Sequence, residues 1–353
     1  MADIIKAFLP MLMTVVTAFL LGLIAIPLLR AKKTGRFEPR IGSRFASDGS
    51  EPVMGGAVLA AAFSVWYFPT LLSTDLTNST NKQDSREGLI FAGIYVIIIV
   101  CAGIADDRLK HFLARPAGVS PVFMQALIYV SSLSLTLALA VYRTPSTEVI
   151  LPFNLGFIEF GALYYPLTAL VMTLAVDGIQ LHFCFGSDIS SSVGGLTEVT
   201  GALSLLTVSL SCKLTGCSAG ALFSDIAAAA CIGLLLWTFP PSKLVSGGSG
   251  SACIGAMLAC AVLLSKLELL FLLAALPQLT DVLFALVRYL RFRLSKGRPG
   301  DKRGSPRRSF HMLLRQRGFD DIRIITVFSL AGLAGGALSL AFAHYAQGFF
   351  PIV

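Results

Sequence analysis

Charge is what this sequence has least of, since only 14% of its 353 residues are Asp, Glu, Lys or Arg. A soluble domain of average composition carries about 25% charged residues. So few charges cannot cover a surface that faces water, whereas hydrophobic residues make up 55% of the chain. The composition therefore excludes a soluble enzyme. The net charge of +8 is assigned to loops near anionic lipid headgroups, and a nucleic-acid partner is not expected.

Metal-binding and disulfide patterns are also scarce in the sequence. The 4 histidines are scattered, and the 7 cysteines lie mostly within apolar runs without a paired CxxC array. We expect the cysteines to be small buried side chains rather than zinc ligands or a disulfide framework. The first apolar run is long enough to span a bilayer and ends in Arg30, Lys32 and Lys33. This run is predicted to be a retained helix rather than a cleaved signal peptide.

Long hydrophobic runs are what the sequence has in abundance. A helix that spans a bilayer needs about 20 predominantly apolar residues. The runs predict an all-α integral membrane protein in which residues 1–353 form a single domain of about ten transmembrane helices. The predicted helices lie near 5–29, 53–72, 89–105, 121–142, 161–177, 194–212, 217–238, 251–266, 268–290 and 323–348.

The distribution of basic residues predicts the orientation of the bundle. Of the 28 Lys and Arg residues, 22 fall in the alternate loops 30–52, 106–120, 239–250 and 288–323. Positively charged loops remain on the cytoplasmic side of a membrane. We therefore expect these four loops to be cytoplasmic and both termini to be extracytoplasmic. The polar residues that could form an active site lie in these loops or at helix ends of the same face, so the active site is also expected on the cytoplasmic side.

Two adjacent acids, Asp106 and Asp107, end a long apolar run. Carboxylates at a membrane boundary are costly to desolvate and need a partner. Mg²⁺ is one such partner, because it prefers hard oxygen ligands. A solvated helix end neutralised by the nearby Arg108 and Lys110 is the alternative, and the sequence leaves both open.

Three further acids, Glu198, Asp225 and Asp281, lie within predicted spans. Acids in such places usually face the interior of the bundle and are often functional, although packing against a Ser, Thr or Arg partner is the alternative. We prefer the packing interpretation for Asp225. The Gly/Ser tract at 246–251 precedes a predicted helix, and amides at a helix N-terminus attract phosphate. An ordinary flexible loop is the alternative there.

Several segments, in order along the chain, resemble the motifs of one enzyme family. The matches are Gly-Arg-Phe-Glu-Pro-Arg at 35–40 with Pro-Val-Met-Gly-Gly at 52–56 (PTMGG), Gly-Ile-Ala-Asp-Asp at 103–107 with Lys110 (GxxDDxxK), Tyr-Tyr-Pro at 164–166 (YIP), 241–251 (PAKVFMGDTGS), and 309–314 with 318–321 (PLHHHFE and GWxE). Together they resemble the polyprenyl-phosphate N-acetylhexosamine-1-phosphate transferase superfamily (glycosyltransferase family 4), and most closely its phospho-MurNAc-pentapeptide translocase, or MraY-like, branch.

This resemblance implies a function and a set of site residues. The implied reaction transfers a phospho-N-acetylhexosamine, such as phospho-MurNAc-pentapeptide, from a UDP-sugar to undecaprenyl phosphate and releases UMP. It implies Mg²⁺ dependence, peptidoglycan precursor synthesis at the bacterial plasma membrane, and a homodimer. Asp106 and Asp107 would be catalytic and would bind the metal together with Asp177. The implied substrate-binding residues are Gly55, Gly56, Lys110, Gln125, Lys243, Gly247, Ser249, Gly250, Ser251 and His311.

The sequence also departs from the family pattern at its polar centre. Gly248 stands where the family has its main magnesium-binding aspartate, and Phe183 and Gly186 stand where it has two further acids. His311 alone remains of the triple histidine. Asp188 and His182 could compensate together with Asp177. A catalytically inactive paralogue that binds polyprenyl phosphate or a membrane partner is therefore the alternative. A transporter is disfavoured because no internal repeat is found.

Overall fold

The computed structural model describes residues 2–31, 52–73, 86–111, 118–142, 147–151, 156–183, 193–294 and 309–346. Its helices are α1 (Ala2–Ala31), α2 (Gly55–Ser73), α3 (Arg86–His111), α4 (Pro121–Tyr142), α5 (Tyr164–Phe183), α6 (Leu196–Thr215), α7 (Ser218–Thr238), α8 (Gly247–Ser265), α9 (Leu270–Ala274), α10 (Leu276–Leu294), α11 (Phe310–Gln316) and α12 (Asp321–Ala346). A short antiparallel hairpin, β1 (Glu148–Ile150) and β2 (Phe157–Glu159), lies between α4 and α5.

Most of these helices have the length and composition of membrane spans. In the described part of the chain, eight helices are long and apolar enough to cross a bilayer: α1, α2, α3, α4, α5, α7, α8 and α12. The prediction of an all-α, multi-pass membrane protein is thereby confirmed. The other two long helices, α6 and α10, fall short because they carry more polar and charged residues. The orientation in the membrane stays a prediction.

One predicted span was wrong. The span predicted at 268–290 is broken into α9 and α10 at Ala275, and Pro277 stands in the first turn of α10. Proline has no backbone N–H to donate to the preceding turn and is tolerated in the first turn of a helix, which explains why a new helix begins there. The hairpin between α4 and α5, in which Val149 pairs with Ile158, was not predicted.

Helix α8 forms the centre of the bundle, with nearly all of its residues buried. Its neighbours approach closely because glycines line the contacts. A Cβ atom placed on Gly103 of α3 would lie 2.7 Å from the Cα of Ser249, and one on Gly255 would lie 2.8 Å from the Cα of Val176 in α5. Helices in membranes associate through such close packing, since lipid removes the hydrophobic drive. The start of α8 is therefore held in a fixed place relative to α3 and α5.

A second, smaller apolar cluster fixes α11 and α12 against the start of α6. It contains Val193, Leu196, Leu314, Ile324 and Phe328, all buried. This packing sets the short α11 beside the ends of α5 and α10, and so places His311 in the interior.

Candidate functional site

The end of α3 is fastened to the start of α8 by Asp107. The Oδ1 atom of Asp107 accepts the backbone N–H of Gly248 at 3.1 Å, and Oδ2 accepts that of Ser249 at 2.9 Å. These amides belong to the first turn of α8, where the backbone has no partner within the helix and a negative charge is favoured. We call this arrangement the Asp107 clamp. In the Asp107 clamp, a carboxylate of the protein binds two of the backbone amides at which the sequence predicted substrate phosphates.

Glycine is required on both sides of the clamp. Gly247 has a φ of +74°, and a Cβ there would lie 2.7 Å from Asp107 Oδ2. On α2, the backbone N–H groups of Gly55 and Gly56 donate to the carbonyls of Val245 and Ser246, each at 3.0 Å. A Cβ on Gly56 would come within 2.4 Å of a backbone nitrogen. The predicted substrate-binding glycines therefore pack α2 onto the segment that precedes α8.

The serines of the Gly/Ser tract differ in their partners. Ser251 donates its hydroxyl back to the carbonyl of Gly248 at 3.0 Å. The Ser249 hydroxyl is buried and has no hydrogen-bond partner among the described residues. Ser249 thus leaves one unsatisfied polar group beside the clamp. Gly250 packs closely, since a Cβ there would lie 2.6 Å from the Ser246 Cβ.

Four predicted residues lie at the more accessible edge of this end of the bundle. The Lys110 ammonium lies 2.5 Å from Asp106, with 34% and 15% of the two side chains exposed. Asp106 also accepts the backbone N–H of Val119 at 2.8 Å, which brings the start of α4 beside the end of α3. One turn into α4, Gln125 donates to Asp177 of α5 at 2.8 Å. Asp106, Lys110, Gln125 and Asp177 are called the accessible edge below.

A second buried acid, Glu198, connects the clamp to α6. The hydroxyl of Ser246, directly before α8, donates to Glu198 in the first turn of α6. Glu198 is buried and was not among the predicted site residues, although it was recognised as an acid within a span. Two residues further along α6, Thr200 contacts His182 of α5, with 3.2 Å between Oγ1 and Nε2.

The contact to His182 leads into a buried cluster of two histidines and an acid. Asp281 Oδ2 lies 2.8 Å from His182 Nδ1 and 2.5 Å from His311 Nδ1. Its Oδ1 accepts the backbone N–H of His311 at 3.0 Å. All three side chains are at most 1% exposed. These three residues are called the histidine cluster below, and in it His311 is buried in the interior of the bundle.

The other predicted residues fall outside these contacts. Lys243 is exposed, and its ammonium lies 5.7 Å from the centre of the Trp237 ring. Gly186 and Asp188 lie outside the described residues, as does the side chain of Phe183. Asp225 is bonded to Ser209 and Lys213, which agrees with the packing interpretation.

The implied Mg²⁺ site can be tested against these contacts. Both Asp107 oxygens accept backbone amides, Asp106 is engaged by Lys110 and Val119, and Gly248 has no carboxylate. Among the described residues, the histidine cluster is the one group in which three His, Cys, Asp or Glu ligand atoms converge. The structure does not bring Asp106, Asp107 and Asp177 together in such a group. The residues present thus do not fit a Mg²⁺ ion at the predicted position.

The helices and their contacts describe a multi-pass membrane protein with a buried polar layer at one end of its bundle. Comparison with known proteins adds relatives along most of the chain, although no protein-family model matches it. The phospho-N-acetylmuramoyl-pentapeptide-transferase of Thermoanaerobacter sp. (strain X514) is 27% identical to this chain, over 80% of this chain and 84% of that protein. The protein of the same name in Clostridium botulinum (strain Eklund 17B / Type B) is 25% identical, over 94% of this chain and 97% of that protein. The one in Desulfitobacterium hafniense is 23% identical, over 98% of this chain and 99% of that protein. The chain is similar to these proteins along most of its length, and the predicted resemblance to the MraY-like branch is confirmed.

Proposed function

We propose that this protein transfers a phosphosugar from a UDP-sugar to a polyprenyl phosphate, as the name of its relatives describes for phospho-MurNAc-pentapeptide. The observation that carries the proposal is the pairing of Lys110 with Asp106 at the accessible edge, directly beside the buried clamp. An ammonium at the end of a membrane-spanning helix lies at the depth of lipid phosphates and offsets their charge. The coverage of the relatives supports a shared scaffold.

The residues of this chain have distinct roles in the proposed reaction. An oxygen of the lipid phosphate attacks the β-phosphorus of the UDP-sugar, and the bond from that phosphorus to the bridging oxygen breaks. The electron pair of that bond leaves with UMP, and a polyprenyl diphosphate sugar forms. Lys110 binds the lipid phosphate, and Asp106 orients the Lys110 ammonium. Asp107 is a positioning residue, because it holds the α8 N-terminus and the unsatisfied Ser249 hydroxyl beside the edge.

A second candidate function is binding of polyprenyl phosphate without turnover. It is favoured by the clamp itself, in which both Asp107 oxygens are already used by backbone amides. Gly248 adds to this argument, since it supplies no carboxylate near Asp107. Under this candidate, Lys110 still binds the lipid phosphate but nothing activates the UDP-sugar.

The deciding experiment measures UMP release by the purified full-length chain in lipid nanodiscs. The substrates are undecaprenyl phosphate with UDP-MurNAc-pentapeptide or UDP-GlcNAc, each with and without Mg²⁺. Lys110→Gln should lower the rate roughly ten- to a hundredfold, the effect of removing one hydrogen bond to a charged group. The matched control is Lys213→Gln, which removes another partly exposed lysine paired with an acid and should leave the rate unchanged.

The two candidates give different results in this assay. Bound undecaprenyl phosphate without UMP release from either UDP-sugar would establish the binding paralogue. Equal rates for Lys110→Gln and wild type would remove the accessible edge as the phosphate site. Location in the bacterial plasma membrane, with this end of the bundle in the cytoplasm, and homodimer formation belong to the same proposal.

A further inference from the structure

The histidine cluster has the composition and convergence of a metal site. We propose that His182, Asp281 and His311 bind one divalent transition-metal ion of the Zn²⁺ type. Their ligand atoms come from α5, α10 and α11 and all lie within 4.8 Å of one another. No step of the proposed transfer reaction uses this site, so the inference stands independently of that proposal.

The spacing of the ligand atoms needs little change to accept an ion. Zn²⁺ lies about 2.0–2.1 Å from histidine nitrogens and about 2.0–2.2 Å from carboxylate oxygens. Tetrahedral geometry at these bond lengths separates neighbouring ligand atoms by about 3.4 Å. The observed separations from Asp281 Oδ2 are 2.8 Å to His182 Nδ1 and 2.5 Å to His311 Nδ1. Each would widen by less than about 1 Å, a shift that side-chain rotation provides.

The partners of the far ring nitrogens fit neutral metal-bound histidines. His182 Nε2 lies 3.2 Å from Thr200 Oγ1, and His311 Nε2 lies 3.2 Å from Ser309 Oγ. A histidine that binds metal through Nδ1 carries its proton on Nε2 and donates it to such a group. The Thr200 hydroxyl donates its own hydrogen bond to the carbonyl of Leu196 at 2.9 Å, so its oxygen is free to accept from His182. Both histidines therefore have acceptors placed where a metal-bound form requires them.

The ligand set and its surroundings indicate the class of ion. Two imidazoles and one carboxylate suit Zn²⁺, Co²⁺ or Fe²⁺, whereas Mg²⁺ prefers oxygen ligands and retained water. The rings are enclosed by apolar side chains, with Phe328 5.3 Å from His182 between ring centres. A buried site of this kind excludes water and strengthens binding of a doubly charged ion. The ion would fasten α10 and α11 to the end of α5.

The first experiment measures metal content and affinity of the full-length chain in detergent. After removal of metal with a chelator, Zn²⁺ or Co²⁺ is added and the bound metal is measured by mass spectrometry. We expect one ion per chain, lost in His182→Gln and in His311→Gln. The matched control is His344→Gln, on α12 outside the cluster, which should keep the ion. Thr200→Val should weaken binding roughly ten- to a hundredfold, as removal of a metal ligand's hydrogen-bond partner does.

The second experiment needs no variant and covers the case in which the histidine variants fail to fold. X-ray absorption of the Zn²⁺-loaded wild type should show a shell of nitrogen and oxygen neighbours with two imidazole rings. A sulfur shell would place the ion on cysteine and overturn the proposal. Absence of bound ion in the folded wild type would also overturn it, as would equal binding by wild type and a folded His182→Gln variant.

Discussion

Asp107 and Asp281 are both buried acids at the same end of the bundle, yet they are stabilised in opposite ways. Asp107 is 3% exposed and accepts backbone amides from the first turn of α8. Asp281 is 1% exposed and forms hydrogen bonds with two imidazole nitrogens and one backbone N–H. One carboxylate is thus held mainly by the main chain and the other mainly by side chains that can exchange protons.

This difference separates a structural role from a chemical one. Backbone amides cannot lose a proton or turn away, so Asp107 keeps its partners whatever binds nearby. An imidazole can release its Nδ1 proton to solvent, and a metal ion can then bind the nitrogen in place of that proton. Asp107, which the resemblance implied to be catalytic, is therefore the acid whose hydrogen-bond partners are harder to replace. Four substitutions test whether the two acids have these different roles.

Asp281→Ala should have the largest effect. It removes the acceptor shared by His182 and His311 and leaves two buried rings without their partner. Removing one member of a buried ionic group costs about 3–5 kcal/mol. Thermal unfolding in detergent should show a large fall in Tm. The control is Asp225→Ala, which removes a carboxylate that pairs with an exposed lysine. An equal fall in Tm in both variants would contradict the larger structural role that we assign to Asp281.

Asp107→Asn should have the next largest effect. The amide side chain keeps one acceptor oxygen, but its NH₂ group faces a backbone N–H. The loss of a charged hydrogen bond costs about 1.5–3 kcal/mol, seen as a lower Tm. Because Asp107 is not one of the three proposed metal ligands, the amount of metal bound by the histidine cluster should not change. A loss of that metal together with an unaltered Tm would reverse the roles assigned to the two acids.

Gly248→Asp tests whether the clamp can be converted into a Mg²⁺ site. A Cβ on Gly248 lies 3.0 Å from Asp107 Oδ1, so the new carboxylate would stand beside the existing one. Two like charges about 4 Å apart repel by about 1 kcal/mol in bulk water, and by more at a buried site such as this one. We expect a lower Tm that Mg²⁺ restores. Gly248→Asn adds similar bulk without charge and should show no Mg²⁺ effect; an equal response from both variants would refute this account.

Asp106→Asn should have the smallest effect on stability. Its partner Lys110 is 34% exposed, and ion pairs near the surface contribute about 0.2–1 kcal/mol. Tm should therefore change little, whereas UMP release should fall if the accessible edge binds phosphate. A fall in Tm as large as that of Asp107→Asn would show that the two neighbouring acids have the same structural role.

Particular residues show how far sequence reasoning reached. The span at 121–142 was predicted to the residue, because a long apolar run has few alternatives in a bilayer. The pairing of Gln125 with Asp177 was not predicted, nor was the link from Ser246 to Glu198. These residues are 52 and 48 positions apart, and no local pattern encodes which helix ends meet. The acid at Glu198 was a signal, since a charge within an apolar helix needs an interior partner.

From the sequence it follows that the chain is a multi-pass helical membrane protein that resembles MraY-like transferases, because hydrophobic length and motif order are properties of the linear chain. The tertiary structure alone decided what the polar residues do. Packing places Asp107 against the backbone amides of α8, and it brings His182, Asp281 and His311 into one buried cluster. The physical reason is that a buried charge takes whichever partners packing brings within hydrogen-bond reach. Those partners come from helices that are distant in the sequence.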